Sequence, residues 1–171
     1  YALRTKYKGK KVSVQLLTNV RSGNCTQNCA YCAQSKDSQA EIEKYKRVSD
    51  EKLYGDNDLV DEKHLARHCI GLSGIGFSDE EIEDLADRIR EMKKKDTQIC
   101  CSIGFLTEKQ ARILKDAGLD RINHNLNSSR SFYPEICTTH TYDQRVNNIK
   151  MLQSLGFEIC SGGIVGMGES K

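Results

Sequence analysis

Residues 12–32, VSVQLLTNVRSGNCTQNCAYC, join an apolar run to a polar loop that carries three cysteines. The branched and apolar side chains of residues 12–20 predict a first β-strand. The loop that follows places Cys25, Cys29 and Cys32 close together in the chain. In parallel α/β folds, ligands gather at the carboxyl ends of the strands. The sequence therefore predicts a site for a bound group directly after the first strand.

Strands and helices alternate along the rest of the chain, which indicates a parallel sheet. Further strands are expected near residues 67–73, 97–103, 121–125 and 158–162. Capping boxes that begin at Ser78, Thr107 and Thr141 predict the starts of three helices. Residues 48–63 fit one helix, a loop or two short helices, because Gly55 and polar neighbours interrupt the pattern. Five strands with helical crossovers form either an open doubly wound sheet or a (β/α) barrel, and periodicity does not separate the two.

Composition narrows the class of protein. The 171 residues include 26 basic and 24 acidic side chains, a net charge of +2, which gives no electrostatic reason to expect a nucleic-acid or membrane partner. No apolar run reaches the ~20 residues that span a bilayer, and the start has no signal-peptide core. We therefore expect a cytoplasmic protein whose eight cysteines serve metal or redox chemistry rather than disulfides. The chain has no initiator Met, and we expect it to be a fragment.

The loop cysteines fit two kinds of metal site. Thiolates are soft ligands that bind iron–sulfur clusters and zinc. Three of them can bind three irons of a [4Fe–4S] cluster and leave the fourth iron open to a small molecule. A zinc site of three cysteines and one histidine, with His64 or His68 as the fourth ligand, fits the spacing equally well.

Cys69, Cys100 and Cys160 lie in three different predicted strands. Residues of matching parity point into the interior of a barrel, so these thiols can meet at one point. They can also be three unrelated core residues, because free cysteine is often buried. Cys100 and its neighbour Cys101 should not both face inward, since side chains alternate along a strand.

The loop, with Tyr31 before its last cysteine, resembles the signature of the radical S-adenosylmethionine superfamily. Longer segments resemble those of biotin synthases: residues 120–129 (DRINHNLNSS), 137–145 (CTTHTYDQR) and 159–169 (ICSGGIVGMGE). The resemblance is close over residues 20–38 and 98–170, moderate over 67–97 and poor over 39–66.

The resemblance implies a (β/α)8 TIM-type barrel, of which residues 1–171 form the N-terminal part with roughly the first five strands, usually in a homodimer. It implies biotin synthase activity in biotin biosynthesis, the radical insertion of sulfur into dethiobiotin. The implied cofactors are a [4Fe–4S] cluster, S-adenosylmethionine and a sulfur-donating auxiliary cluster, [2Fe–2S] or larger. Reducing electrons would come from a donor such as flavodoxin or ferredoxin.

The resemblance also implies roles for individual residues. Cys25, Cys29 and Cys32 would bind the [4Fe–4S] cluster. Cys69, Cys100 and Cys160 would bind the auxiliary cluster. Asn123 and Asn125 would contact dethiobiotin. The expected contacts to S-adenosylmethionine are Tyr31, Asn125, Asn127, Arg145, Gly163 and Ile164, with Arg145 at the methionine carboxylate and Gly162 and Gly163 allowing a close approach.

Several departures from the family pattern leave alternatives open. Asn127 stands where familiar members have Asp, and Cys101 and Cys137 are not cysteine in those members. The arginine that usually completes the auxiliary site lies on a late strand outside this chain. The extra thiols are consistent with a larger auxiliary cluster.

Two rival functions remain. The first is another radical S-adenosylmethionine enzyme, of the hydrogenase-cofactor maturase or methylornithine mutase type. The second is a noncatalytic metal-binding fragment, because a half-barrel with an open edge should be insoluble or inactive by itself.

Overall fold

The computed structural model describes residues 1–170, which form one parallel five-stranded sheet with helical crossovers. The elements are α1 (Ala2–Lys8), β1 (Gln15–Arg21), α2 (Asp50–Glu62), β2 (Arg67–Leu72), α3 (Asp79–Met92), β3 (Ile99–Ser102), α4 (Glu108–Asp116), β4 (Arg121–Asn123), α5 (Tyr133–Ile136), α6 (Tyr142–Ser154) and β5 (Glu158–Cys160).

The strands lie side by side in the order β1-β2-β3-β4-β5, and all four neighbouring pairs are parallel. A doubly wound sheet reverses its strand order at a switch point, whereas successive barrel strands do not. The observed strand order therefore indicates a TIM-barrel-like arrangement and not an open doubly wound sheet.

All five predicted strands form, but they are shorter than expected. The first begins at Gln15 rather than residue 12, and the fifth ends at Cys160. Residues 50–62 form a single helix despite Gly55, because Ser49 caps its start and accepts a hydrogen bond from the Lys52 amide. The helices α1 and α5 were not predicted from the sequence.

The capping boxes begin the later helices as expected. At Ser78, Thr107 and Thr141, the side chain accepts a hydrogen bond from the third helical amide, and the side chain of that residue bonds back to the cap amide. Each helix is thereby fixed at a defined distance from the strand end before it. This spacing determines where the loops at the carboxyl edge lie.

The two faces of the sheet differ sharply. On the helix-covered face, Ile70, Cys101 and Ile122 are in register on neighbouring strands and are fully buried. On the opposite face lie two mostly polar rows, one of Leu17, Cys69, Cys100, Arg121 and Glu158, the next of Asn19, Gly71, Ser102, Asn123 and Cys160. The main apolar core therefore lies between the sheet and the helices, and a smaller cluster around Tyr133 and Ile136 lies beside the cysteine loop.

A buried polar network attaches α2 to this core. His68 is fully buried, its Nδ1 lies 3.2 Å from Asn57 Oδ1, and its Nε2 lies 2.8 Å from Thr18 Oγ1. Thr18 Oγ1 lies in turn 2.6 Å from Asp56 Oδ2. Burial lowers the pKa of His68 to about 4, so the imidazole is neutral at physiological pH.

Within residues 1–170, the helices are too short or too polar to cross a bilayer.

Candidate functional site

A cavity of about 420 Å³ lies at the carboxyl ends of the strands, between the cysteine loop and the loops after β2, β3 and β4. It is lined by groups from six separate segments of the chain. The lining includes Cys25, Cys29, Tyr31, Cys32, Ser73, Ser102, Asn123, Asn125, Asn127, His140, Arg145 and Ile164.

One glycine allows two of these loops to approach each other. A Cβ on Gly104 would lie 2.3 Å from the carbonyl oxygen of Ile75, and the amide of Phe105 donates to that same oxygen at 2.7 Å. Only glycine fits this contact between the loops after β2 and β3.

The cysteine loop is attached to the segment before α6. Asn28 Oδ1 accepts hydrogen bonds from the amides of Thr138 and Thr139 at 3.1 and 3.3 Å, and its Nδ2 donates to Thr138 Oγ1 at 2.7 Å. The amide of Ala30 donates to Ile136 O at 2.9 Å. These contacts hold a loop without regular secondary structure against the sheet, next to the cavity.

All three loop thiols are free and line the same cavity. Cys29 is buried, and burial together with the nearby Cys137 raises its pKa to about 12. Cys25 and Cys32 are half-buried. Their assignment as cluster ligands stays a prediction, but the loop geometry brings them to one space.

The two histidines that the zinc alternative names as fourth ligand, His64 and His68, both lie away from the loop thiols. His68 faces the helix-covered side, where its ring contacts Thr18 and Asn57. His64 follows α2 at the amino end of the sheet, opposite the cysteine loop. The imidazole that lies near the loop thiols is His140, because the segment before α6 folds back over the loop.

The asparagine block, residues 123–127, begins at the end of β4, and the side chains of its first three residues point alternately toward the cavity and into the protein. Asn123 and Asn125 line the cavity, and the buried Oδ1 of Asn123 accepts no hydrogen bond from residues 1–170. His124 between them points into the protein, where burial lowers its pKa to about 4.

Asn127 joins three parts of the site. Its φ is +66°, a left-handed conformation that asparagine adopts more readily than most residues. Its Nδ2 donates to the Tyr31 hydroxyl at 2.5 Å. Its backbone bonds to the segment after β5, from N to Gly162 O at 2.9 Å and from O to the Ile164 amide at 2.8 Å. Ile164 therefore lines the cavity, while Gly163 lies beside Asn127 as its bridge partner.

Arg145, in the first turns of α6, is oriented by neutral groups. Its Nε donates to the Tyr133 hydroxyl at 2.6 Å, and its Nη2 lies 2.9 Å from His140 Nε2. The His140 ring therefore accepts at Nε2, and its Nδ1–H donates to Gln27 Oε1 at 3.0 Å. Burial, with the Arg145 charge, lowers the pKa of His140 to about 4, which agrees with this neutral tautomer.

The strand cysteines share the open face of the sheet. Cys69 and Cys100 are direct register partners, and Cys160 lies one row nearer the carboxyl edge, opposite Asn123. A hydrogen bond from Cys100 lowers the pKa of Cys69 to about 7. None of the three lines the cavity described above, because they lie deeper or at the open edge of β5. Cys101 points the other way, into the apolar core, and Cys137 contacts Cys29 at the cysteine loop. Neither extra thiol therefore lies with the strand cysteines, as the expectation of a larger auxiliary cluster required.

Sequence reasoning missed two residues of the site and misplaced a third. Asn28 fixes the loop and His140 orients Arg145, whereas Cys137, noted only as an extra thiol, contacts Cys29 at 3.7 Å between sulfurs. One signal was present, because His140 and Cys137 both lie in segment 137–145, which resembles the family. The contacts of Asn28 and Cys137 join residues about a hundred positions apart, and no local pattern predicts them.

The chain is similar over its whole length to curated biotin synthases. It is 42% identical over its whole length to the biotin synthase of Rhodopirellula baltica and 41% identical to that of Bacillus subtilis strain 168. It covers 48% and 51% of those relatives. The chain thus spans about half the length of the curated relatives it matches.

Solved structures show the same fold at low identity. Methylornithine synthase superposes with a TM-score of 0.84 at 16% identity, over 98% of this chain and 49% of that one. The FeFe-hydrogenase maturase HydG from Carboxydothermus hydrogenoformans superposes with a TM-score of 0.82 at 20% identity, over 98% of this chain and 40% of that one. The model of the Radical SAM superfamily matches residues 19–171. The chain belongs to the Radical SAM superfamily.

Proposed function

We propose that the protein to which this chain belongs is a biotin synthase, and that residues 1–171 are the N-terminal part of its single barrel domain. One observation carries the proposal: a single cavity brings the three loop thiols together with the asparagine block and Arg145. The resemblance of the segments around these residues to biotin synthases supports it, as do the curated relatives of that name.

The residues fit the cofactors that the family implies. Three thiols that form no disulfide line one side of the cavity. The buried Oδ1 of Asn123, which accepts no hydrogen bond from residues 1–170, marks a position for a hydrogen-bond donor. Cys25, Cys29 and Cys32 would hold the [4Fe–4S] cluster. When bound, the cluster and S-adenosylmethionine supply a radical that abstracts hydrogen from unactivated carbon, and an auxiliary cluster supplies sulfur.

Arg145 would bind the carboxylate of S-adenosylmethionine. Tyr133 and His140 use its Nε and Nη2, and its Nη1 donates to no acceptor within residues 1–170. A guanidinium that is already held in place loses little entropy when it binds a carboxylate. Tyr31, Asn125, Asn127, Gly163 and Ile164 would surround the rest of the cofactor, with Asn127 fixing Tyr31.

Dethiobiotin would lie between the cavity and the strand cysteines. Asn123 and Asn125 offer amides that both donate and accept, which suits a cyclic urea. Cys160 is the register partner of Asn123, so a group bound at Asn123 lies close to this thiol. Cys69, Cys100 and Cys160 would bind the auxiliary cluster on this same face.

The remaining parts of the proposal concern the whole protein. We propose a cytoplasmic homodimer that takes electrons from a donor such as flavodoxin or ferredoxin. The auxiliary cluster would be [2Fe–2S] or larger.

The test is an anaerobic assay of the full-length protein with dethiobiotin, S-adenosylmethionine and a reductant, in which biotin and 5′-deoxyadenosine are both measured by mass spectrometry. Two matched variants separate the two cysteine sets. Cys32→Ser should form neither product, whereas Cys160→Ser should form 5′-deoxyadenosine but no biotin. If the unchanged protein forms 5′-deoxyadenosine and never biotin, it is another radical S-adenosylmethionine enzyme.

A further inference from the structure

Cys29, Cys137 and His140 form a buried cluster of ligand atoms beside the cavity. The two sulfurs lie 3.7 Å apart, and Cys137 Sγ lies 3.3 Å from His140 Nδ1. All three ligand atoms lie within 4.8 Å of one another, and all three residues are buried. Neither Cys137 nor His140 has a role in the proposed reaction as a ligand.

These distances match a tetrahedral metal ion. Zinc binds thiolate sulfur at about 2.3 Å and imidazole nitrogen at about 2.0–2.1 Å. In a tetrahedron, two such sulfurs lie about 3.8 Å apart, and a sulfur and a nitrogen about 3.5 Å apart. The two distances from Cys137 Sγ are thus close to those of a mononuclear site, and the third ligand pair lies within 4.8 Å.

We propose that Cys29, Cys137 and His140 bind a single Zn²⁺ ion when the cysteine loop holds no iron–sulfur cluster. Water would complete the tetrahedron. The site depends on these three side chains and not on the reaction assigned above, although it shares Cys29 with the proposed cluster.

Proton and charge balance favour a neutral complex. Each thiol releases one proton to solvent, and two thiolates cancel the charge of Zn²⁺ next to the cationic Arg145. The metal takes Nδ1, so the imidazole proton moves from Nδ1 to Nε2. Nε2 then no longer accepts from Arg145, and Gln27 Oε1 loses its donor.

Zinc binding and cluster binding therefore exclude each other, because both use Cys29. Zinc also removes one of the two contacts that orient Arg145, while the contact with Tyr133 remains. The consequence is an alternative metal state of the same loop, without the proposed [4Fe–4S] cluster.

The test is an anaerobic titration of the cluster-free full-length protein with Co²⁺, a coloured substitute for Zn²⁺. Cys69→Ser and Cys160→Ser should be introduced as a background that removes thiols of the open sheet face. We expect one Co²⁺ per chain, with the visible bands of tetrahedral cobalt and thiolate-to-cobalt charge transfer, and its displacement by Zn²⁺.

Variants identify the ligands. Cys137→Ser is close in shape and should weaken Co²⁺ binding at least about tenfold and reduce the charge-transfer intensity by about half, because one of two thiolates is lost. His140→Gln should weaken binding similarly. Cys25→Ser, Cys32→Ser and the matched buried control Cys101→Ala should bind as before. Far-ultraviolet circular dichroism checks that each variant is folded.

If Co²⁺ binding is unaffected by Cys137→Ser and lost in Cys25→Ser or Cys32→Ser, the ion is bound by the loop cysteines alone and the proposal is wrong. The absence of tetrahedral bands from the unchanged protein would also overturn it. Neither result bears on biotin formation, because no turnover is measured.

Discussion

Cys100 and Cys101 are neighbours in β3, yet they belong to opposite faces of the sheet. Cys101 is fully buried among the apolar residues beneath the helices. Cys100 faces the open side, next to Cys69 and in line with the polar rows. The strand alternation that separates them also separates a packed core from a surface rich in thiols and amides.

This contrast explains why the same residue type has two uses in one chain. On the helix-covered face, a thiol is a small apolar group, and burial raises the pKa of Cys101. On the open face, Cys69 and Cys100 form a hydrogen-bonded pair of thiols, in which the contact lowers the pKa of Cys69 and, together with burial, raises the pKa of Cys100. Position in the register therefore decides whether a thiol packs among apolar side chains or pairs with a second thiol.

The largest expected effect concerns the helix-covered face and its buried His68. Its pKa is about 4 in the folded protein because of burial, against about 6.5 in the unfolded chain. The folded state therefore binds fewer protons between these values. The contribution of neutral His68 to the free energy of unfolding is fully present above about pH 6.5 and is lost as the pH decreases toward 4. The loss from His68 should be on the order of 3 kcal/mol.

Denaturant unfolding at a series of pH values measures this loss. His68→Gln should be less stable at neutral pH, because Thr18 and Asn57 lose a partner, but its stability should depend less on pH. His64→Asn is a matched control, because His64 is exposed and asparagine suits its left-handed backbone. A flat stability profile for the unchanged protein between neutral pH and about pH 4.5 would contradict the buried, neutral assignment.

The next effect concerns the cavity on the carboxyl edge. Arg145→Lys keeps the charge but removes the planar fork that Tyr133 and His140 orient. A hydrogen bond to a charged group contributes about 1.5–3 kcal/mol, so the KM for S-adenosylmethionine should rise about tenfold to a hundredfold. Steady-state kinetics of 5′-deoxyadenosine formation measure it.

Arg130→Lys is the control for this prediction. Arg130 is exposed and pairs with Asp143 at the surface, so its replacement should leave the KM unchanged. Equal effects of the two substitutions would mean that Arg145 acts only as a general positive charge.

The smallest expected effect compares substitutions at two neighbouring residues that lie on opposite faces of the sheet. Cys101→Ser places a hydroxyl among apolar side chains and should lower the free energy of unfolding by about 1–2 kcal/mol without changing the iron content. Cys100→Ser should change stability less and should reduce the iron bound outside the cysteine loop. Iron analysis and denaturant unfolding of both variants check this, and the reverse pattern would refute the assignment of faces.

Local patterns predicted much of the fold. The capping boxes at Ser78, Thr107 and Thr141 predicted three helix starts, because each depends on contacts within four residues. The strands were expected in the right places but too long, because the end of a strand is set by its pairing with neighbouring strands and not by its local pattern. Strand order was not predictable from periodicity, because it depends on pairing between distant segments.

The site was predictable in part. Segment resemblance singled out residues that the structure brings to one cavity, namely Asn125, Asn127, Arg145 and the loop cysteines. The contact of Cys29 with Cys137 and the choice of His140 over His64 and His68 were not predicted. They depend on how the segment before α6 folds over the cysteine loop, a tertiary contact that no local spacing encodes.

The central claim is that the three loop thiols leave one iron of a [4Fe–4S] cluster open to S-adenosylmethionine. The most direct measurement is the electron paramagnetic resonance spectrum of the reduced, reconstituted full-length protein, recorded before and after S-adenosylmethionine is added. The account predicts a [4Fe–4S]⁺ signal whose g-values change on addition, and loss of this signal in Cys25→Ala, Cys29→Ala and Cys32→Ala. A cluster signal that does not respond to S-adenosylmethionine would contradict it.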